Sequence, residues 1–382
     1  MRDEHNTSLR TEVIYGREAL LTIGKDWDEL FERSLAAPPF LSRAWVTVLI
    51  EEGKVRGTPL LALAWSGTKL VALLPLAVRQ SLWVKIAEPI GTGLHTYLGL
   101  LSDPNYPQAI EVLAKFFKQE KVADVLYIND LSSEDEATGK LLAELAKNGF
   151  LYLHVYRNPC HYIKLGCSFD EYLKKNKSSK SRHELRREER KLCKEKEIEV
   201  GYYSGTEMTP EILRRIGVIQ QQSWMKRRGA VTLNQSFNQM LLMNMAKNNF
   251  ANVWILTIDR EDAAFAYTLV AHKKLHYYQT AFKLKFESSL SVGKVLTMQV
   301  IRHACESDIE YFDFGQGDSE YKRFWATNSH DVKRTAAGRG LRGYVVVLWF
   351  GLIWWLAKHQ WIRAQYRRIR AKLFAIKRWR SV

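Results

Sequence analysis

The hydrophobic and polar positions in the first 158 residues alternate between short apolar runs and helix-spaced patterns. Apolar runs bounded by turn residues predict strands, and apolar residues three or four apart predict helices. The predicted strands cover residues 12–23, 60–65, 70–78, 124–129 and 150–156. The predicted helices cover 26–35, 42–52, 107–119 and 134–148. Strands and helices in this order indicate an α/β lobe over residues 12–158.

A second lobe is predicted from Pro159 to residue 335, with its first strand at 161–165. Helices are expected after the Ser-x-x-Glu patterns that begin at Ser168 and Ser181, and after Thr209. Residues 199–203 are a predicted strand, and 253–258, 263–270 and 275–281 form a predicted antiparallel meander. The chain then passes through a loop, a helix at 293–307 and a strand at 309–314. A helix that starts at the edge of a sheet offers free backbone N–H groups, which suit a pyrophosphate.

The composition of the 382-residue chain is that of a folded protein, with 46% hydrophobic and 26% charged residues. This length is comfortable for two domains. The four cysteines (Cys160, Cys167, Cys193 and Cys305) form no Cys-x-x-Cys pair. The pattern argues against a structural zinc site or a disulfide scaffold, so we expect reduced thiols and no metal. The polar N-terminus lacks a signal-peptide core, which favours a cytoplasmic location.

The net charge of +16 is concentrated in a tail at residues 336–382. No acidic residue follows Asp331, whereas thirteen lysines and arginines do. The apolar run 344–357 is shorter than the roughly 20 residues that span a bilayer. Tryptophan-rich apolar surface beside basic residues is typical of a helix on anionic lipid. We therefore expect residues 341–382 to bind the inner face of the plasma membrane; the alternative is a helical hairpin packed on the body with solvated charges.

A second basic cluster lies at residues 174–196, where eleven lysines and arginines face four glutamates. It indicates either a surface for phosphate-rich cargo or ordinary solvated charge. Nucleic acid is expected as a partner only if the protein uses transfer RNA.

Five motifs occur in an order typical of one known family. They are Pro39-Phe40-Leu41-Ser42-x-x-Trp45, Leu73-Leu74-Pro75-Leu76, Gln222-Ser223-Trp224-Met225-Lys226, Leu290-Ser291-Val292-Gly293, and Phe312-Asp313-Phe314-Gly315-Gln316-Gly317 followed by Tyr321-Lys322-x-x-Trp325. Together they resemble the GNAT-superfamily acyltransferases of the cellulose-biosynthesis CelD-like type, which are related to the FemAB peptidyltransferases. The resemblance covers roughly residues 12–335.

The resemblance implies an α/β (α+β) fold of two tandem GNAT-like lobes, each a mixed, mostly antiparallel sheet flanked by helices. A basic, tryptophan-rich helical tail follows. The second lobe would transfer an acyl group from coenzyme A to an amine or sugar in bacterial exopolysaccharide assembly. Two departures leave the donor open: Val292 stands where the family often has proline, and the two-glycine loop of ordinary GNAT enzymes is absent. The donor would be acetyl-CoA, a longer acyl-CoA or an aminoacyl-tRNA.

Acyl transfer needs a base, a stabilised oxyanion, a protonated leaving group and a held donor. Asp313 is the candidate base or amine-orienting carboxylate, and the alternative is a turn cap. Tyr321 would protonate the leaving thiolate or pack beside Trp325. The expected donor-binding residues are Ser291, Val292, Gly293, Lys294 and Lys322. The expected acceptor-binding residues are Ser223, Trp224, Lys226, Gln279, His95 and Tyr97.

Three functions remain open at this point. The first is an acyl-CoA-dependent acyltransferase, most simply an N-acyltransferase, that acts by direct attack in a ternary complex. The second is a FemAB-like transferase that uses aminoacyl-tRNA and binds it through residues 174–196. The third is a catalytically silent scaffold at the membrane.

Overall fold

The computed structural model describes residues 8–18, 22–34, 36–94, 97–227, 229, 231–286 and 291–358. Its strands are β1 (Leu9–Tyr15), β2 (Thr58–Ser66), β3 (Lys69–Ser81), β4 (Val84–Pro89), β5 (Leu101–Ser102), β6 (Val125–Ser132), β7 (Phe150–Lys164), β8 (Ile198–Ser204), β9 (Ala251–Ile258), β10 (Glu261–Ala271), β11 (Lys274–Phe282), β12 (Tyr311–Gln316) and β13 (Asn328–Arg339). Its helices are α1 (Gly24–Arg33), α2 (Arg43–Glu51), α3 (Gln108–Gln119), α4 (Glu136–Lys147), α5 (Phe169–Asn176), α6 (Ser179–Glu195), α7 (Pro210–Gln221), α8 (Trp224–Arg227), α9 (Ser236–Lys247), α10 (Val292–Glu306), α11 (Glu320–Trp325) and α12 (Gly340–Lys358).

The thirteen described strands form one sheet with the order β1-β2-β3-β4-β6-β13-β7-β12-β11-β10-β9-β8, and β5 pairs with β3. Two of these pairs, β4 with β6 and β11 with β12, are parallel. The other pairs among the described strands are antiparallel, and helices cover both faces. The expected fold class, two lobes of mixed and mostly antiparallel sheet flanked by helices, is confirmed. The two lobes share a single continuous sheet.

The predicted strands 150–156 and 161–165 are one strand, β7, so the expected lobe boundary at 158/159 falls inside a strand. The predicted second lobe begins at Pro159, a residue that cannot donate a ladder hydrogen bond. Its carbonyl oxygen accepts a hydrogen bond from the Gly317 N–H at 2.9 Å, on the side of β12. The Pro159 nitrogen faces the same side, beyond the end of β12. The missing N–H therefore removes no ladder bond, and the strand continues.

The C-terminal strand β13 lies in the middle of the sheet, between β6 and β7. It pairs with β7 from Asn328 opposite Tyr162 to Arg339 opposite Phe150. The expected boundary between second lobe and tail, at residues 335 and 336, therefore falls inside β13. Pattern alone did not find this strand, because its pairing partners lie about 180 residues away in sequence.

Three local predictions can be compared with the structure. The capping box of Ser168 and Glu171 is present at the start of α5. The cap predicted at Ser181 is wrong, because α6 begins at Ser179 and the Ser178 hydroxyl accepts the Ser181 N–H at 3.1 Å. The predicted strand 12–23 is too long: β1 ends at Tyr15, and a turn at Gly16 (φ +80°) precedes α1.

Helix α12 contains the predicted apolar run 344–357 and packs on the sheet. Val347 is fully buried, and the Phe350 ring stacks on Tyr127 of β6 with centroids 5.6 Å apart. Among the described residues, no helix is both long and apolar enough to cross a membrane. Residues 359–382 of the predicted tail lie outside the described residues.

The contact between α12 and the sheet depends on Gly343, and we predict that Gly343→Ala destabilises the protein. A Cβ at this position would lie 2.5 Å from the Asp124 carbonyl oxygen and 2.9 Å from the Gly338 carbonyl carbon. Because both neighbours are backbone, relief requires moving the helix, and the free energy of unfolding should fall by about 1–3 kcal/mol. Urea unfolding measures it.

Gly139→Ala on α4 is the matched control, since a Cβ there meets no atom within 4 Å. This change should raise the free energy of unfolding by up to about 1 kcal/mol through helix propensity. A Gly343→Ala protein as stable as the parent would contradict the packing of α12.

Candidate functional site

The parallel strands β11 and β12 separate soon after they meet. They pair through three residues each, from Lys274 opposite Tyr311 to His276 opposite Asp313. Beyond this point β11 runs on to Phe282 and β12 to Gln316. A bulge in β11 at Tyr278 adds to the divergence, because Thr268 of β10 faces Tyr277 and the preceding residue, Tyr267, faces Gln279. The two strands therefore enclose a wedge along the side of β11 that does not pair with β10.

The wedge opens into a cavity of about 380 Å³ between the two lobes. This size is suited to a small molecule or to part of a larger one. The described residues that line it are Phe40, Gly93, Leu94, Tyr97, Asn129, Asp130, His276, Tyr277, Tyr278, Asp313, Phe314, Gly315, Gln316, Lys322 and Arg334. Both lobes thus contribute polar side chains to one space.

Asp313, the predicted base, lies fully buried on β12 where the wedge begins. Its Oδ1 accepts the Tyr97 hydroxyl at 2.9 Å and the Gly315 N–H at 2.6 Å, and its Oδ2 lies 3.0 Å from the Lys274 ammonium. Burial raises the pKa of Asp313, but Lys274 and the other neighbours outweigh it and bring the pKa to about 2. Asp313 is therefore a carboxylate with its oxygens engaged, and a weak base.

Tyr97 reaches Asp313 from the glycine-rich loop of the first lobe, residues 91–99. The structure brings these two predicted site residues together although 216 positions separate them. Burial, followed by the Asp313 charge, raises the pKa of Tyr97 well above its usual value, so the phenol stays protonated and donates. His95, the other candidate in this loop, lies outside the described residues.

Asp130, at the edge of the cavity on β6, is a site residue that the sequence analysis missed. It accepts hydrogen bonds from Gln316 Nε2 at 3.0 Å and from Asn129 Nδ2 at 2.8 Å. Burial raises its pKa. Its backbone is left-handed (φ +60°), and it lies where the pairing of β6 with β13 shifts register, between Ile128 and Leu131. The one sequence signal was its position directly after the predicted strand 124–129.

Lys322 and Tyr321 lie at the start of α11, beside the cavity. The Lys322 ammonium donates to the carbonyl oxygens of Gly315 (3.1 Å) and Gln316 (2.8 Å), so it fixes the loop that ends β12. Burial lowers its pKa. Tyr321 packs edge-on against Phe314, which lines the cavity, and remains 41% exposed. Burial of its hydroxyl raises the pKa of Tyr321, which keeps a proton available.

The predicted donor turn is described from Ser291 onward. The first turn of α10 contains no acidic residue, and the Ser291 side chain makes no capping bond, which suits an anion. Val292 is buried, and a Cβ at Gly293 would lie 3.0 Å from the Phe282 ring. Lys294 is paired with Glu188 of α6 at 2.9 Å. Phosphate binding by these four residues stays a prediction, and Lys294 would have to share its charge with Glu188.

Four predicted acceptor residues do not line the cavity. The buried Ser223 hydroxyl donates to the Gln220 carbonyl at 2.7 Å and accepts the Met225 N–H at 3.1 Å, so it links α7 to α8. Trp224 begins α8, and Lys226 is exposed on it. Gln279 accepts a hydrogen bond from Gln220 at 3.5 Å. The acceptor role of these residues stays a prediction without support from the cavity.

The cysteines and metal candidates add little to this site. The four cysteines are free, and burial raises the pKa of Cys160, next to the Asp313 cluster, to about 12. In the described part of the chain, no group of three or more His, Cys, Asp or Glu residues is arranged to hold a metal ion.

Comparison with known proteins supports the class of the second lobe. Residues 179–323 match the family model described as an acetyltransferase (GNAT) domain. No curated protein matches the chain significantly. The solved structure of FemX superimposes with a TM-score of 0.60 at 12% identity, covering 81% of this chain and 95% of FemX. The C-terminal domain of a putative lysylphosphatidylglycerol synthetase from Agrobacterium fabrum gives 0.54 at 13% identity, covering 86% and 95%.

Residues 179–323 of the second lobe therefore match a GNAT acetyltransferase domain, and the chain shares its fold with FemX and the synthetase domain. At these identities, the two structures show the fold alone. The CelD-like type, expected from the five motifs, stays a prediction.

The buried histidine of the cavity makes stability depend on pH. Burial, opposed by the nearby Asp313 charge, lowers the pKa of His276 to about 3. Its other neighbours are Lys274, Tyr97 and His330, whose pKa is also lowered by burial. Between the unfolded pKa of about 6.5 and the folded value, only the unfolded chain binds a proton at this position. The contribution of neutral His276 to the stability of the folded protein is therefore complete above the unfolded pKa. It is lost as the pH falls toward the folded pKa.

We therefore predict that His276→Gln flattens the pH dependence of stability. Between pH 6 and pH 4, the free energy of unfolding should fall more steeply in the parent than in His276→Gln. The difference between the two slopes should be up to about 1.4 kcal/mol per pH unit. Urea unfolding at pH 7, 6, 5 and 4 measures the difference. His183→Gln, at an exposed position on α6, should keep the parent slope. Equal slopes for parent and His276→Gln would contradict a buried neutral His276.

Proposed function

We propose that the protein is an acyl-CoA-dependent acyltransferase that transfers an acyl group, other than an aminoacyl group, to an amine. The observation that carries the proposal is the wedge between β11 and β12, which opens into an interlobe cavity lined by a carboxyl group of raised pKa. The GNAT domain match over residues 179–323 supports acyl transfer as the reaction class.

The wedge suits a thioester donor. Acyl-CoA, when bound, supplies an electrophilic carbonyl and a thiolate leaving group. Backbone N–H groups on the side of β11 that faces the wedge, near the bulge at Tyr278, would donate to a carbonyl oxygen as negative charge develops on it. The first turn of α10, with no acidic residue, suits the phosphates of the carrier.

Proton transfer is assigned to Asp130, and Asp313 is assigned a positioning role. A base must have a pKa high enough to accept the proton of the attacking amine, which favours the carboxyl whose pKa is raised by burial. Asp313, with its pKa near 2 and both oxygens engaged, holds Tyr97 and the turn at Gly315 in place. Tyr321, protonated and beside Phe314, is the candidate to protonate the leaving thiolate.

The acceptor is proposed to be a polysaccharide, lipid-linked sugar or amino-compound precursor of the bacterial envelope, modified in the cytoplasm. Support comes from the resemblance to acyltransferases of cellulose biosynthesis and from the polar lining of the cavity, where Asn129, Asp130 and Arg334 lie together. The acyl group is acetyl or longer.

We predict that Asp130→Asn lowers kcat for acyl transfer by about 10²–10⁴ while donor binding is retained, because it removes the base and leaves the wedge intact. The measurements are thiol release from acetyl-CoA with a panel of amines, including glucosamine, and calorimetric binding of acetyl-CoA. The loss of kcat should diminish as the pH rises and more of the amine is deprotonated in solution.

Asp308→Asn, an exposed carboxylate that pairs with Lys273 outside the cavity, is the matched control and should keep parent activity. Undiminished kcat in Asp130→Asn would remove Asp130 as the base. Absence of binding for acetyl-CoA and for longer acyl-CoA would contradict the donor assignment and favour the silent scaffold.

An aminoacyl-tRNA donor is the second candidate, favoured by the arrangement of α6. This helix turns Glu188 and Glu189 toward Lys294 and Arg302 of α10, which leaves its basic side chains exposed. Binding of transfer RNA that weakens steeply with salt would support this donor, whereas acyl-CoA binding without measurable RNA affinity would exclude it.

A further inference from the structure

Helix α12 leaves one whole side of large apolar residues exposed. Residues three, four and seven positions apart share a helix face, and the exposed members follow this spacing. They are Leu341, Tyr344, Val345, Leu348, Trp349, Leu352, Ile353 and Trp355. Leu348 and Trp349 are 57% and 58% exposed. The opposite side, with Val347 and Phe350, covers the sheet, so this exposure is not caused by an undocked helix.

The turn between β3 and β4 extends this apolar surface. Leu82 is 91% exposed and Trp83 is 47% exposed, and a contiguous exposed apolar surface marks an interaction site. The Arg342 guanidinium of α12 donates to the Trp83 carbonyl oxygen at 3.3 Å, which places the turn beside the start of the helix. Leu82, Trp83 and the exposed side of α12 are together called the lipid face.

The charges around the lipid face have one sign. Residues 343–357 contain no charged side chain, and Arg339 and Arg342 precede them. Lys358 and eight further lysines and arginines follow, with no acidic residue up to the last residue of the sequence. Two copies meeting through this face would bring their basic segments together, which like charges oppose. Apolar surface rich in tryptophan with basic flanks is complementary to an anionic bilayer surface.

We propose that the lipid face seats the protein on an anionic membrane surface, with Leu82 and Trp83 as a second contact beside α12. The helix lies in the plane of the interface: its packed side holds the sheet, and its exposed side enters the lipid. The basic residues on both flanks contact lipid phosphates.

The seated protein would present its cavity to the same membrane. Tyr127 and Asn129 project from the same face of β6, since alternate residues of a strand share a face. Tyr127 packs under Phe350 of α12, and Asn129 lines the cavity. The cavity therefore begins about 7 Å along the strand from the helix. On the proposed acyl transfer, on which this step alone rests, the acceptor is an amine carried by a lipid.

Co-sedimentation of the full chain with vesicles tests the proposal. We expect binding to vesicles of phosphatidylglycerol and phosphatidylcholine in a 3:7 ratio, and weak binding to phosphatidylcholine alone. Trp349→Ser combined with Leu352→Ser should weaken binding at least tenfold, because both side chains are exposed and on the lipid face. Trp83→Ser should weaken it separately and by less. Deletion of residues 341–382 is unsuitable, since it would uncover the sheet beneath Val347.

Met240→Ser combined with Val218→Ser is the matched control. These side chains are also large, apolar and exposed, but they lie on α9 and α7. The control should bind vesicles as the parent does, and thermal unfolding should confirm that every variant is folded.

Equal vesicle binding by Trp349→Ser/Leu352→Ser and the parent would overturn the proposal. A second result would also overturn it: the parent does not bind anionic vesicles, and sedimentation shows a dimer that is absent in Trp349→Ser/Leu352→Ser. Vesicle binding does not require catalytic turnover. A protein that binds vesicles but releases no thiol from acyl-CoA would therefore contradict the proposed function and still support membrane binding by the lipid face.

Discussion

The pairing of β13 with β7 along its whole length is the constraint on which the rest of the structure depends. These two strands separate β6 of the first lobe from β12 of the second, and they hold both in one sheet. Asp130 and Asp313 lie on the two outer strands of this group. The side chain of Gln316 bonds to Asp130 and that of Tyr97 bonds to Asp313, so each contact crosses between the lobes. A hinge between the lobes would break both.

Elements with a local pattern could be predicted from the sequence, and those that depend on distant partners could not. Helices α3 and α4 follow apolar spacing and capping residues, so their bounds agree with expectation to within about two residues, and α7 begins directly after the expected cap at Thr209. Strand β13 is short of apolar residues and is stable only because β6 and β7 flank it. Locally, Pro159 predicts a break in the strand. Its nitrogen lies beyond the end of β12, so no ladder hydrogen bond is lost and the strand continues.

The site was predictable where a residue is marked by its place in a motif. Asp313 ends a strand before a glycine turn, and Tyr97 lies in the glycine-rich loop that the resemblance associates with the acceptor. Asp130 has no such mark: its raised pKa results from burial under residues of both lobes, and its partner Gln316 is 186 positions away. Lys294 is an expected phosphate ligand, but the structure pairs it with Glu188 of α6. This pairing depends on how α6 is rotated about its axis, which a local sequence pattern does not predict.

The two carboxyl groups of the cavity, Asp130 and Asp313, have pKa values that are shifted in opposite directions. Burial alone raises the pKa of both, because a charge is less stable away from water. Asp313 has an ammonium group at 3.0 Å and a backbone N–H at 2.6 Å, which reverse the shift. Asp130 receives hydrogen bonds from two uncharged amide side chains, and burial raises its pKa by more than these bonds and the Arg334 charge lower it. Environments that move two carboxyl pKa values in opposite directions favour one group as a fixed charge and the other as a proton carrier. The position of Lys274 therefore decides which of the two aspartates can act as the base.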